Sequence, residues 1–424
     1  MQPLNPQRPK AIDLFAGAGG MSLGLEQAGF DVVAAVEYDP VHCATHQFNF
    51  PDSATVCASV TDLTAEELCE RAGVKAGEID LIVGGPPCQG FSLIGKRSVE
   101  DARNRLVFEF HRLVVGAQAR YFIMENVPGM KVGEHAGVLA ELVKRFETTG
   151  YVCRPVELLN ASDCGVPQDR TRLFLVGGRA GETLPRAPMR TTSPTGLPLP
   201  KCPTVWDAIG DLPEVDEYPE LLQQDSVVAK YREPRPYACE MRGLVRSPDD
   251  FSYPRTWDPY ILTSSLRTVH TERSLLRFAA TLPGAVEPIS RFLRLDPDGY
   301  CNTLRAGTDS KRGAYTSPRP IHPFTPRVIT VREAARLHSF PDWFRFHATK
   351  WHGFRQVGNA VPPRVGRAVG AAIMKALGYS VSVPDRLVPP GNTKLLMMTM
   401  RDAADFYGVP ADVVGQRDRA PNRG

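Results

Sequence analysis

The stretch DLFAGAGGMSLGLEQAG, residues 13–29, places a cluster of glycines between an apolar run and an amphipathic one. Glycine past a strand and before a helix lets the backbone approach a ligand closely, because no Cβ intervenes. A dinucleotide-binding turn would read GxGxxG at this point. Gly17 and Gly19 fit its opening, but position 22 is serine, and Gly20 and Gly24 fall out of register. The fingerprint of a nicotinamide-dependent dehydrogenase is therefore absent. Glycines that merely turn a corner remain the plain alternative.

Outward from this turn, apolar runs alternate with helical patterns through the first 184 residues. The candidate strands are KAIDLFAG, DVVAAVEYD, EIDLIVGG, YFIMENV and RTRLFLVGG. Helical spacing joins Leu106, Phe110, Leu113, Val114 and Ala117, and then Val138, Leu139, Leu142, Val143 and Phe146. This alternation predicts an α/β fold with a mainly parallel sheet covered on both faces. In such a sheet, side chains at the carboxyl ends of the strands line one crevice.

The strand ends carry chemistry. Glu37 closes DVVAAVEYD, where a carboxylate can take both hydroxyls of a ribose, and Tyr38 follows as a surface for an adenine face. A nucleoside cofactor without a pyrophosphate fits, which points to S-adenosylmethionine. EIDLIV leads into GGPPCQGFS, residues 84–92, where two glycines and two prolines hold Cys88 on a stiff loop. Glu125 ends YFIMENV, and Arg170 and Arg172 open the last strand. A thiol, a carboxyl and guanidinium groups can meet in one crevice. Each has a dull alternative: a loop thiol, a helix-capping carboxylate, and surface ion pairs of little energetic weight.

Composition narrows the class. The chain is long enough for one large domain and a smaller one. No signal segment or membrane span is visible. The nine cysteines form no CxxC pair, which argues for reduced thiols rather than a disulfide framework or zinc site. Residues 227–355 carry 21 Lys and Arg against 12 Asp and Glu, a net of +9, a candidate electrostatic footprint for nucleic acid. A solvated basic surface is the competing reading. From about 185 to 325 the text is proline- and arginine-rich, yet Trp206, Trp257, Phe278 and Phe292 give it something to bury. Regular structure returns at 328. Thr330 and Glu333 have capping-box spacing, Pro341 is expected to stop that helix, and RVGRAVGAAIMKALG is expected to end at Gly378.

Taken together, these pieces resemble the DNA (cytosine-5) methyltransferases of bacterial modification type. DLFAGAGG, GGPPCQGFS, ENVPG, QDRTRLFLVGG, ITVREAARLHSFPDWF and QVGNAVPP follow that family's order and frame nearly all of residues 10–378. The resemblance implies a Rossmann-like, S-adenosylmethionine-dependent methyltransferase domain at 10–184 and 326–378. It implies a smaller, irregular target-recognition domain at 185–325, and leaves 379–424 as an extension of unassigned role. A strand and helix at 359–378 should return to the large domain.

The resemblance also distributes roles. Cys88 would attack cytosine C6, Glu125 would act at N3, and Arg172 with Arg170 would hold the O2 side. Phe15, Gly17, Gly19, Glu37, Tyr38, Ser59, Val60, Pro87, Leu106 and Asn359 would contact S-adenosylmethionine and its product S-adenosylhomocysteine. Ser59 stands where the family usually has an acidic residue for the adenine amino group, and Asp62 is the alternative partner. Such chemistry needs the base flipped out of the duplex. SLIGKRSVEDARNRL suits a loop closing over DNA, with Lys96, Arg97 and Arg103 as phosphate contacts, although a solvated loop would look similar. His42 and His46 lie one helical turn apart without a third ligand, so no metal is expected.

The expected partner is double-stranded DNA, with no membrane. A monomer in the cytoplasm at the nucleoid, alongside a restriction endonuclease, completes the expectation, since no regulatory domain precedes residue 10. A tRNA-methylating branch of the family is the second class, disfavoured by the missing CFT tripeptide and an insert of about 140 residues. A non-catalytic nucleic-acid-binding relative is the third, disfavoured by the intact Cys88, Glu125 and Arg172.

Overall fold

DVVAAVE is buried along its whole length, as a strand covered on both faces must be. The computed structural model describes residues 8–87, 105–196, 198–307 and 319–411. Strands and helices alternate at first: β1 (Lys10–Leu14), α1 (Gly20–Ala28), β2 (Asp31–Glu37), α2 (Pro40–Asn49), β3 (Ala54–Cys57), α3 (Ala65–Arg71), β4 (Leu81–Gly84), α4 (Arg105–Gly116), β5 (Tyr121–Asn126) and α5 (Glu134–Thr148). Four further strands follow: β6 (Tyr151–Cys153), β7 (Glu157–Asn160), β8 (Gln168–Asp169) and β9 (Thr171–Arg179).

The main sheet runs β3-β2-β1-β4-β5-β9-β6, with β7 also on β9. β1 to β5 pair in parallel, whereas β9 is antiparallel to β5. That reversal positions the site. The amino end of β9 lies at the edge where β1, β2, β4 and β5 finish. α4 and α5 cover one face through Phe110, Leu113, Leu142 and Phe146.

On the other face α1 packs against the helix Pro363–Leu377, and glycine makes the approach possible. A Cβ on Gly24 would lie 2.6 Å from the Pro363 carbonyl oxygen, and one on Gly20 would lie 2.4 Å from that of Val361. The glycines that break the dinucleotide register thus serve helix packing.

The remaining elements are α6 (Val205–Ile209), β10 (Val227–Val228), α7 (Pro236–Met241), β11 (Ile261–Leu262), α8 (Glu272–Ala280), β12 (Cys301–Asn302), α9 (Val331–Leu337), α10 (Lys350–Asn359), α11 (Pro363–Leu377) and α12 (Met400–Tyr407). One apolar cluster takes Val205 and Ile209 from α6 together with Leu337, Phe340, Phe344 and Phe354. The irregular region and the returning segment therefore share a core. Phe278 is buried with Ile321 and Val328.

The Thr330–Glu333 capping box is present, and Gly378 caps α11 in the left-handed region at φ +73°. Two expectations need correction. α9 ends at Leu337, before Pro341, where Ser339 turns the chain at φ +63°. No strand forms at 359–362; helix α10 ends at Asn359 and a short loop leads into α11. Arg170 and His338 hold the Ala360 carbonyl of this loop. No helix among the described residues is long and apolar enough to cross a membrane.

Candidate active site

Glu125 ends β5 and Arg172 opens β9. Because Glu125 stands opposite Phe174 in the antiparallel register, Arg172 is its diagonal neighbour on the same face. Arg172 Nε lies 3.0 Å from Glu125 Oε1, and each side chain is 14% exposed. Burial raises the Glu125 pKa, opposed by the charges of Arg172 and Arg170. Burial lowers that of Arg172, opposed by Glu125. A carboxyl so held can keep or share a proton more readily than one in water.

The GGPP turn is built around this carboxyl. A Cβ on Gly85 would lie 2.9 Å from Glu125 Oε2, so glycine makes room for it. A Cβ on Gly84 would press on Phe110 at 3.0 Å. Asn126 is buried, and its Nδ2 donates to the Pro86 carbonyl at 3.1 Å. It ties the proline loop to the strand that carries Glu125. Nothing in the spacing of the motif marks Asn126 for this. Pro87 is half-buried. Cys88, Lys96, Arg97 and Arg103 lie outside the described residues.

Arg170 does not share the crevice. It is buried, and it donates to the carbonyls of Leu304 at 2.8 Å, Gly358 at 2.9 Å and Ala360 at 3.0 Å. Its expected place on the O2 side of a base is corrected accordingly: three backbone carbonyls occupy the guanidinium. Gln168 extends the brace. Its Oε1 accepts from Leu304 N at 3.2 Å, and its Nε2 meets Leu337 O and His338 Nδ1. With β8 paired to β12, this holds the irregular region against the catalytic edge.

At the cofactor edge, three backbone N–H groups hold the Glu37 carboxylate: Gly17 to Oε2 at 2.9 Å, and Tyr38 and Asp39 to Oε1 at 3.0 and 2.9 Å. Burial and the nearby Asp39 raise its pKa to about 7. Gly17 adopts φ +56°, and a Cβ there would meet nothing within 4 Å. Open space beside a buried carboxylate that retains acceptor capacity on Oε2 suits a ribose diol. The residues present therefore fit S-adenosylmethionine. Tyr38 is exposed next to it, Phe15 is half-buried at φ +60°, and Leu106 is half-buried on α4.

The other expected contacts stand in these surroundings. Gly19 turns inward: its N–H donates to Ala16 O, and a Cβ would lie 2.4 Å from Phe50, so packing requires this glycine. The Val60 side chain belongs to the core, and its carbonyl accepts from Arg112. Ser59 caps a short turn by accepting from Thr61 N, and exposed Asp62 accepts from the Thr61 hydroxyl. Asn359 is exposed at the end of α10. His46 joins a buried chain instead of a ligand set. Ser22 Oγ lies 2.6 Å from Asp13 Oδ2 and 3.0 Å from His46 Nε2.

Part of the basic excess is spent inside the protein. Arg332 and Arg336 on α9 are fully buried, with Arg336 between Asp211 and Asp342. Arg327 pairs with Glu214 and Glu333, and Arg255 with Glu26. Arg232, Arg273, Arg291 and Arg305 are exposed. A count of charges does not distinguish these two sets.

The pattern of the C-5 cytosine-specific DNA methylases matches residues 9–375. The Type II methyltransferase M.XorII of Xanthomonas oryzae pv. oryzae is 56% identical over 417 residues, which cover 98% of this chain and 96% of that protein. M.AgeI of Thalassovita gelatinovora is 32% identical, covering 87% and 100% respectively. Among solved structures, a DNA modification methyltransferase encoded within an E. coli prophage superposes with a TM-score of 0.69 at 34% identity, over 87% of this chain and 99% of that one. With the family pattern spanning both the crevice and the returning helices, this chain belongs to the C-5 cytosine-specific DNA methylases, which use S-adenosylmethionine to methylate cytosine in DNA.

Proposed function

We propose that this enzyme methylates C5 of a flipped-out cytosine in a specific double-stranded DNA sequence through a covalent Cys88 adduct. The Glu125–Arg172 pair, held beside the proline loop that leads to Cys88, carries this reading. A Cys88 thiolate adds to C6, which pushes electron density onto C5 and toward N3. Glu125 supplies a proton or hydrogen bond at N3, and Arg172 faces O2 and offsets developing charge. S-adenosylmethionine, when bound, supplies an electrophilic methyl group. Loss of the C5 proton then lets the thiolate leave.

Residues 185–325 act as the target-recognition region, set against the catalytic segments 10–184 and 326–378. The curated relatives named above are Type II methyltransferases, which supports a modification role alongside a restriction endonuclease. The enzyme acts as a monomer, in the cytoplasm at the nucleoid.

Replacement of the target cytosine by 5-fluorocytosine tests the mechanism, once the target has been mapped by base-resolution sequencing of 5-methylcytosine in a methylation-free host. Without a removable C5 proton, elimination stalls, and protein and DNA stay joined through denaturing electrophoresis. The adduct should require S-adenosylmethionine for full yield and vanish in Cys88→Ser. Trapping that persists in Cys88→Ser would exclude this nucleophile; trapping on fluorinated tRNA alone would exclude DNA as the substrate.

A further inference from the structure

The turn between β2 and α2 presents Glu37, Tyr38 and Asp39 in succession. Asp39 is buried. Its Oδ1 caps α2 by accepting from Val41 N at 3.0 Å and His42 N at 3.4 Å, which leaves Oδ2 for another partner. That partner is Arg355 of α10, whose Nη1 donates to Asp39 Oδ2 across 316 residues of sequence. The same guanidinium stands 5.4 Å from the centre of the Trp351 ring. Next to it, Gln356 Nε2 donates to Thr45 Oγ1 of α2 at 2.8 Å, while Gln356 Oε1 accepts from His347 N. Helix α10 is thus fastened to α2 by consecutive side chains.

Tyr38 is 43% exposed, so packing alone leaves its ring free to turn. A ring that must lie flat against a purine binds better when its orientation is set beforehand, because the ordering cost is met before the ligand arrives. We propose that Arg355 is a positioning residue for S-adenosylmethionine, holding the Asp39 cap, and with it the turn that carries Glu37 and Tyr38, from the helix that returns from the recognition region. The proposal rests on the reading of Glu37 and Tyr38 as the ribose and adenine contacts. Arg355 is not a catalytic residue, since it acts through Asp39.

Binding of S-adenosylmethionine to the full chain by calorimetry, with KM and kcat for methyl transfer to unmethylated genomic DNA, tests it. Arg355→Met should weaken binding and raise KM about 10–100-fold through lost pre-organisation, with kcat at saturation within about threefold of wild type. Arg355→Lys, which keeps a cation but not the fork, should recover part of the affinity. Unchanged affinity in Arg355→Met, or a loss confined to kcat, overturns the proposal. If Arg355→Met does not fold, the Lys variant decides; wild-type affinity in it overturns the proposal. Glu37→Ala separates the two readings. If it binds normally, the ribose assignment falls and this proposal with it. If it loses binding while Arg355→Met does not, only Arg355 is misassigned.

Discussion

Arg172 approaches Glu125 from the neighbouring antiparallel strand, Nε to Oε1 at 3.0 Å, with both groups largely shielded from water. Two influences compete on the carboxyl. Burial favours its neutral form, and the two nearby guanidinium groups favour its charge. In the proposed mechanism, a pyrimidine seated against the pair draws a proton toward N3 while Arg172 balances charge at O2. Asn126 and Gly85 give the arrangement its precision, one by holding the proline loop and the other by leaving room.

Glu125→Gln should therefore reduce the methylation rate by about 10²–10⁴, the usual scale for positioned acid catalysis. The amide preserves shape and hydrogen bonding but cannot titrate. S-adenosylmethionine affinity should stay within error in calorimetry, because Glu37 lies at a different strand end. Single-turnover rates near wild type would remove Glu125 from the chemistry.

Arg170 should behave as a structural brace. Arg170→Met leaves the carbonyls of Leu304 and Gly358 without this donor, and that of Ala360 with His338 Nε2 alone. Loss of buried, charge-assisted hydrogen bonds should cost about 2–5 kcal/mol, read as a lower midpoint in denaturant unfolding. Arg172→Met should instead lose activity with a much smaller shift in midpoint. Equal stability loss in the two variants would contradict this division of labour.

Affinity for S-adenosylmethionine should rise with pH through about 7, the value to which burial and Asp39 lift Glu37. In the proposed contact, ribose hydroxyls donate to the Glu37 carboxylate, so the ligand binds the deprotonated form and the gain levels off above that pH. Titration calorimetry from pH 6 to 8.5 reads the trend, and Glu37→Gln should flatten it. The same raised pKa has the opposite sign for folding. Between the ordinary value of 4.5 and about 7 the native state binds the extra proton, so this group's contribution to stability declines as pH rises.

Much of this enzyme is legible in its sequence because the relevant signals are local. Strand–helix periodicity through β5, the Thr330 capping box and the carboxylates at the ends of β2 and β5 can be read within short windows. The motif order points to the chemistry of Cys88 and Glu125. Tertiary structure alone decided which of two arginines in QDRTR faces the crevice. Arg172 meets Glu125 because β9 runs antiparallel to β5, while Arg170 turns toward carbonyls at positions 304, 358 and 360. It also decided that Gly19 serves Phe50, that Arg336 neutralises buried aspartates, and that Arg355 reaches Asp39. Most of these partners are distant in sequence, Asp211 by 125 residues from Arg336 and Asp39 by 316 from Arg355, and periodicity and composition report only what a residue's own neighbourhood prefers. Direction of strand pairing and choice of ion partner are settled when distant segments compete for the same buried space.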